Sequence, residues 1–170
     1  VAAFDWEHCN RADGKFDKKK LAAINYEHLK HERLTDLQTY ASTVTGFLAR
    51  RGLTVDGPAL AQALPLIREK AHDYVEAAYA LEFFFRDPPV LDEKAAAKFL
   101  VPAHAPRLEQ LHALLEAIPE AEWSTASIEA RVNAWLQSEQ LQLKDVAQPA
   151  RVAVTGRSAS PGLYETLAIL

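Results

Sequence analysis

From residue 17 onward the chain alternates apolar positions at helical spacing with short polar breaks that carry proline or glycine. In KFDKKKLAAINYEHLKHER (15–33), Asp17 stands where a helix N-cap belongs. Leu21, Ile24 and His28 recur three or four residues apart, which predicts a helix with those residues on one face. Thr35 and Gln38 have the spacing of a capping box. The helix they open carries Leu37, Tyr40, Ala41, Val44, Phe47 and Leu48 on its core side, and Gly52 suits its C′ position. Pro58 fits the first turn of the next helix. Pro65 should break that helix, because proline has no N–H and its ring collides with the preceding turn. Two helices are therefore expected between 58 and 85. The run RDPP (86–89) is the clearest linker.

Past the linker, Asp92 caps a short helix ending near Leu100. Pro106 starts another, with Leu108, Leu111, Leu114 and Leu115 buried. Ser124 or Thr125 caps a third, bearing Ile128, Val132, Trp135 and Leu136. Nearer the end, Pro149 starts a short helix, or else VAV (152–154) forms a brief strand. Ser160 followed by Pro161 reads as a helix N-terminus, with Leu163, Leu167 and Leu170 at helical spacing. That pattern is still amphipathic where the chain stops, as expected of the far end of a longer protein. No repeat or low-complexity tract interrupts the series. The expected fold class is all-α, as two stacked helical bundles.

Composition narrows the chemistry. The chain has 170 residues, 49% hydrophobic and 25% charged, an ordinary globular balance. The formal net charge of −4 means that any site for a polyanion must be a local basic patch. A lone cysteine, Cys9, allows no internal disulfide and reads as an inert thiol. No apolar run approaches the ~20 residues of a membrane span. The start, VAAFDWEHCN, has neither the basic opening nor the long apolar stretch of a signal peptide. Methionine is absent throughout, which suggests a cut or processed chain.

Most candidate sites have plainer explanations. Lys15-Phe16-Asp17-Lys18 is superficially like a phosphate-holding K-x-S-K loop, but Asp17 replaces the serine and no H-x-G-H partner exists. A cap followed by first-turn lysines is the better account, although lysines there oppose the helix dipole and hint at a partner. His28 and His31 share a helix face flanked by Glu27 and Glu32, yet nothing supplies further metal ligands, and no metal site is expected. No G-x-S-x-G elbow, G-x-G-x-x-G or P-loop is present, and no catalytic residue is assigned. Phe83, Phe84 and Phe85 read as core packing rather than base stacking. What remains is the placement of cations: an early cluster (Lys18, Lys19, Lys20, Lys30 and Arg33), then Arg68 with Lys70, then Arg151 and Arg157 around VAVTG. Arg151, a glycine-bearing turn and the helix N-terminus at 160–163 together would suit anionic RNA.

These stretches carry a resemblance. VAQPARVAVTGRSASPGLYETLAIL is similar to the C-terminal signature of bacterial glutamyl-tRNA synthetases, which runs Q-P-L-R-x-A-L-T-G, a few residues, then P-G-L-F-E. KFDKKKLAAIN resembles the family's K-F-D-x-x-K-L-x-W-x-N, and LPLIREKAHDYVE its L-x-R-x-R-x-x-T-L-x-E. FFF before a proline-rich turn fits as well, and the elements come in the family's order. The resemblance implies the anticodon-binding end of that enzyme, a helical cage of two subdomains, without the catalytic domain. It implies a tail of the tRNA stem-contact segment over 1–33, a first anticodon-binding subdomain over 34–86 and a second over 87–170.

By the same resemblance, Lys70 occupies the position of an arginine facing the third anticodon base. Arg151 stands near the anticodon. Leu163 packs on a splayed base beside Ser160 and Pro161. Lys20 and Asn25 are polar positions facing tRNA. Lys70, Arg151 and Leu163 are thus expected to line one cavity. Ala23 replaces a family tryptophan, and Lys70 replaces arginine, exchanging a bidentate fork for a point charge. The parent enzyme would be a cytoplasmic monomer that uses ATP and Mg to attach glutamate to tRNA. Its partner would be glutamate tRNA, and possible acceptance of glutamine tRNA is left open. The rival readings are a helical protein-interaction module without RNA binding and a metal-bearing bundle using His28 and His31.

Overall fold

A computed structural model describes residues 17–87 and 89–170, so Cys9, Lys15 and Phe16 lie outside the described residues. The described residues form nine α-helices and short 3₁₀ turns, with no strand. The helices are α1 (Lys18–Lys30), α2 (Leu37–Arg50), α3 (Gly57–Arg68), α4 (Tyr74–Leu81), α5 (Glu93–Phe99), α6 (Ala105–Glu116), α7 (Thr125–Ser138), α8 (Lys144–Thr155) and α9 (Leu163–Ile169). The all-α expectation holds.

Aspartates start most of the early helices. Asp17 Oδ1 accepts from the Lys19 and Lys20 amides at 2.9 and 3.1 Å, and Asp92 Oδ1 from the Ala95 amide at 2.8 Å. α2 is capped by Asp36 rather than by the expected Thr35–Gln38 box. Asp36 accepts from the Thr39 amide at 2.8 Å and its hydroxyl at 2.6 Å, and this lowers the carboxyl's pKa. Gly52, at φ +77°, ends α2 with a paired closure, its amide donating to the Ala49 carbonyl and that of Leu53 to the Leu48 carbonyl.

Two prolines fall where sequence reasoning expected otherwise. Pro65 does not break α3, and Pro149 lies inside α8 rather than opening it. Pro65 and the carbonyl-bearing Ala61 one turn before it are both exposed, so water can take the hydrogen bond that proline withholds. The break comes instead at 69–73, after which Asp73 caps α4 through the Glu76 amide at 2.7 Å. Because α8 runs to Thr155, VAV is helical.

The cores form two clusters. In the first, α2 packs on α4 and α3, burying Tyr40, Val44, Leu48, Leu64 and Leu81. In the second, α7 packs on α9 and α6, burying Leu111, Ile128, Val132, Leu136 and Leu167. Each fully buried large apolar side chain contributes roughly 1.5–3 kcal/mol, and together they outweigh helix propensity in setting the fold. On α1 the expected apolar face is not the buried one: Leu21 and Ile24 are 51% and 48% exposed, while Leu29 is buried. Phe83 is buried, and Phe84 and Phe85 pack on the first cluster, as core residues.

The halves meet through α9, whose Ile169 reaches the first cluster while Leu163 and Leu167 sit in the second. They also meet where the segment before α5 crosses the end of α8. Gly156 caps α8 at φ +75°, and its carbonyl accepts from the Asp92 amide at 2.8 Å. A Cβ on Gly156 would come 2.2 Å from the Val90 carbonyl oxygen, so only glycine allows this approach.

Candidate nucleic-acid interface

The turn at 69–72 between α3 and α4 is held from below by α1. The Asn25 amide donates to the His72 carbonyl at 3.0 Å, and the Tyr26 hydroxyl donates to the Glu69 carbonyl at 2.6 Å. Arg68, 7% exposed, fixes the other side. Its Nε donates to the Leu29 carbonyl at 2.7 Å, its Nη2 donates to the Thr35 carbonyl, and its guanidinium lies 5.2 Å from the Tyr40 ring centre. A buried guanidinium needs acceptors, and backbone carbonyls supply them. Lys70 is thereby presented, exposed, from a fixed turn.

Arg151, on α8, organises the opposite wall. Its Nη1 donates to the Ser160 carbonyl at 3.1 Å, to the Ser160 hydroxyl and to the Pro161 carbonyl. Burial lowers the guanidinium's pKa, and the Glu165 carboxylate opposes that effect. Glu165 folds back over the start of α9: a Cβ on Gly162 would lie 1.9 Å from its carboxylate oxygen. The helix N-terminus expected to receive an anion therefore already faces its own carboxylate. α9 begins at Leu163, two residues beyond the expected Pro161.

Between these walls lies a cavity of about 340 Å³, lined by Lys70, Glu76, Tyr79, Arg157, Ser160 and Pro161 among others. Lys70, Ser160 and Pro161, distant in sequence, thus share one site. Arg151 stands behind the loop rather than among the lining residues, and Leu163 is 7% exposed within the second cluster. Lys70, Arg151 and Leu163 therefore do not form one cavity wall, contrary to expectation: of the three only Lys70 is in the lining. Leu163 points into the core because α9 needs an apolar residue in its first turn to seal against α7. Lys20 is exposed on α1, away from this lining, and Asn25 supports the turn beneath Lys70.

Glu82 and Tyr79 carry no reading in the sequence, and Arg157 enters there only as one of the cations around VAVTG. Glu82, 4% exposed, accepts from Arg51 at 2.6 Å and Arg157 at 3.3 Å, and its other carboxylate oxygen is ion-paired with Arg86 at 3.2 Å. Arg157 also donates to the Tyr79 carbonyl and lies 3.5 Å from the Tyr79 ring centre. Burial lowers its pKa, against the pull of Tyr79 and Glu82. No signal in the sequence marks Tyr79: it shares a helical face with Val75, and the structure leaves that face exposed, opposite the buried Ala77 and Leu81. His31 pairs with Glu27 at 3.0 Å, and among the described residues no three His, Cys, Asp or Glu side chains are grouped to hold a metal. Among the described residues no helix is long and apolar enough to cross a membrane.

Comparisons with known proteins bear on the family and the fold. A glutamate–tRNA ligase of Mycobacterium marinum is 36% identical over the whole chain and 34% of its own length. One of Bradyrhizobium sp. strain ORS 278 is 32% identical over the whole chain and 36% of its own length. The chain thus spans about a third of the length of the curated relatives it matches. A glutamate–tRNA ligase from Elizabethkingia meningosepticum, solved in complex with its amino acid, superposes with a TM-score of 0.80 at 20% identity, covering 98% of this chain and 32% of that one. The family described as the anticodon binding domain matches residues 26–170, and the chain belongs to that family.

Proposed function

We propose that the chain binds the anticodon loop of tRNA as the anticodon-reading portion of a glutamate–tRNA ligase. The observation that carries this is the convergence of Lys70 with Ser160 and Pro161 on one cavity, with Arg151 bracing the loop behind it. Loop bases are unstacked and offer their edges to side chains. A cavity with a cation and aromatic and apolar walls suits them. On this reading 34–86 and 87–170 act as the two anticodon-binding subdomains and 1–33 as the tail of a stem-contact segment. Lys20 faces tRNA, Asn25 holds the turn that presents Lys70 to it, and Leu163 supports the base-contacting loop from within the core. The parent would be a cytoplasmic monomer. It would carry ATP, Mg and glutamate activation in its remaining two thirds, to which no residue of this chain is assigned. A protein-interaction module is not favoured, given the family match over residues 26–170.

The test is binding of an anticodon stem-loop RNA across a salt series. Affinity should fall linearly with salt on a log–log plot. Arg151→Ala should weaken it roughly tenfold, since hydrogen bonds from a charged donor are worth about 1.5 kcal/mol or more. No detectable binding at low salt would sink the proposal.

We further propose that Lys70 tolerates either third anticodon base, so that glutamine tRNA is also accepted. A lysine offers a point charge without the geometry of a fork. Two stem-loops differing only at that base should bind equally, and Lys70→Arg should separate them. A strong preference in the unaltered chain would refute this.

A further inference from the structure

Tyr79 is the aromatic residue that the described fold leaves most open. It is 49% exposed, whereas every other tyrosine, phenylalanine and tryptophan among the described residues is buried or half-buried. An aromatic side chain has much to gain by burial, so an exposed ring beside a cavity calls for an occupant. The ring is also held in place. Arg157 grips the residue twice, through its guanidinium 3.5 Å from the ring centre and through an Nη1 hydrogen bond to the Tyr79 carbonyl. Arg157 is in turn anchored by Glu82 at 3.3 Å and is itself little exposed. Arg51, at 5.7 Å from the same ring centre, adds a second cation. Fixing an aromatic platform before the ligand arrives removes an ordering cost that a free side chain would incur on binding.

The surroundings indicate the ligand class. Ile67 and Ala71 give the cavity an apolar floor, and Lys70 and Arg157 give it positive charge. A flat aromatic face, an apolar floor and cations nearby match a nucleobase attached to a phosphate backbone. We infer that Tyr79 is the stacking platform for one unpaired base of the RNA loop, and that Glu82 acts as a positioning residue by holding Arg157 against the ring. This rests on the anticodon-binding reading and names a specific contact within it. The platform lies on α4, in the first half of the chain. It offers a stacking surface although Ala23 stands where the resemblance expects tryptophan.

The experiment uses the whole chain and an anticodon stem-loop RNA carrying 2-aminopurine at each anticodon position in turn. Stacking quenches this base. One position should be quenched by the unaltered chain and by Tyr79→Phe, but not by Tyr79→Leu. Tyr79→Leu should weaken binding about 5- to 150-fold, the range for losing one base–aromatic stack. The slope of log affinity against log salt should stay the same, because no phosphate contact is removed. An abasic nucleotide at the quenched position supplies the same test without altering the protein. It should weaken binding to the unaltered chain by a similar factor and cost nothing further in Tyr79→Leu. Salt-dependent binding with quenching and affinity unchanged in Tyr79→Leu would overturn the platform and leave the anticodon reading standing. Absence of any stem-loop binding would overturn both.

Discussion

Replacing Glu82 by glutamine tests how the two halves are coupled. The carboxylate side chain is 6% exposed and receives three guanidinium groups, at 2.6 Å from Arg51, 3.2 Å from Arg86 and 3.3 Å from Arg157. Arg51 and Arg86 come from the same half as Glu82, while Arg157 comes from the other. Removing one partner of a buried ion pair typically costs about 3–5 kcal/mol, because the remaining charge is left without compensation. Arg51 and Arg86 are more than a third exposed at the side chain, so water recovers most of their loss and each pair counts for no more than about 1 kcal/mol. Arg157, at 12% side-chain exposure, bears the rest. The expected cost is therefore near the low end of the buried-pair range, about 3 kcal/mol, or roughly 6–12 °C in Tm for a chain of this size. Urea unfolding of Glu82→Gln, Arg157→Met and the double variant gives the coupling directly. Most of the loss should be shared between the two single variants, and the stem-loop affinity should fall along with it as the Tyr79 ring loses its backing. A Glu82→Gln variant as stable as the parent, with no coupling to Arg157, would refute the account of this junction.

Glycine substitutions at two sites should have opposite signs. Gly156→Ala places a Cβ 2.2 Å from the Val90 carbonyl oxygen at φ +75° and should destabilise by well over about 1 kcal/mol in urea titration. Gly46→Ala, inside α2 with nothing within 4 Å, should stabilise by roughly 0.5–1 kcal/mol. Tyr40 is fully buried with its hydroxyl unpartnered, and burial raises its pKa to about 12. Because the folded state favours the neutral phenol, stability is fully present below pH 10. It should decline as pH rises from about 10 towards 12, where only the unfolded chain ionises freely. Tyr40→Phe should remove that decline, while costing little at neutral pH because it deletes an unsatisfied group. Unchanged alkaline sensitivity in Tyr40→Phe, measured by urea midpoints at pH 9 and pH 11, would contradict this assignment.

Much of this protein was legible from residue order alone, because helix starts are local events. Asp17, Asp92 and Ser124 act as caps within three residues of themselves, and the apolar spacing of α2, α6 and α7 follows from the pitch of one helix, although Leu37 is exposed and on α6 only Leu111 is buried, with Leu108, Leu114 and Leu115 half-buried. Motif order along the chain pointed to the family for the same reason: it is a one-dimensional property. What the tertiary structure decided were the roles of charged residues and of prolines. Arg68, Arg151 and Arg157 looked alike as cations near candidate sites, yet they are spent on carbonyls, a ring and a buried carboxylate of the protein itself, and of the three only Arg157 joins Lys70 in lining the cavity. Pro65 and Pro149 stay inside helices because packing stabilises those helices by more than one missing hydrogen bond costs. Leu163 went to the core, and Tyr79 to the surface, for a common reason. Which side of a short helix is covered depends on neighbours far away in sequence, and spacing within the helix carries no record of them.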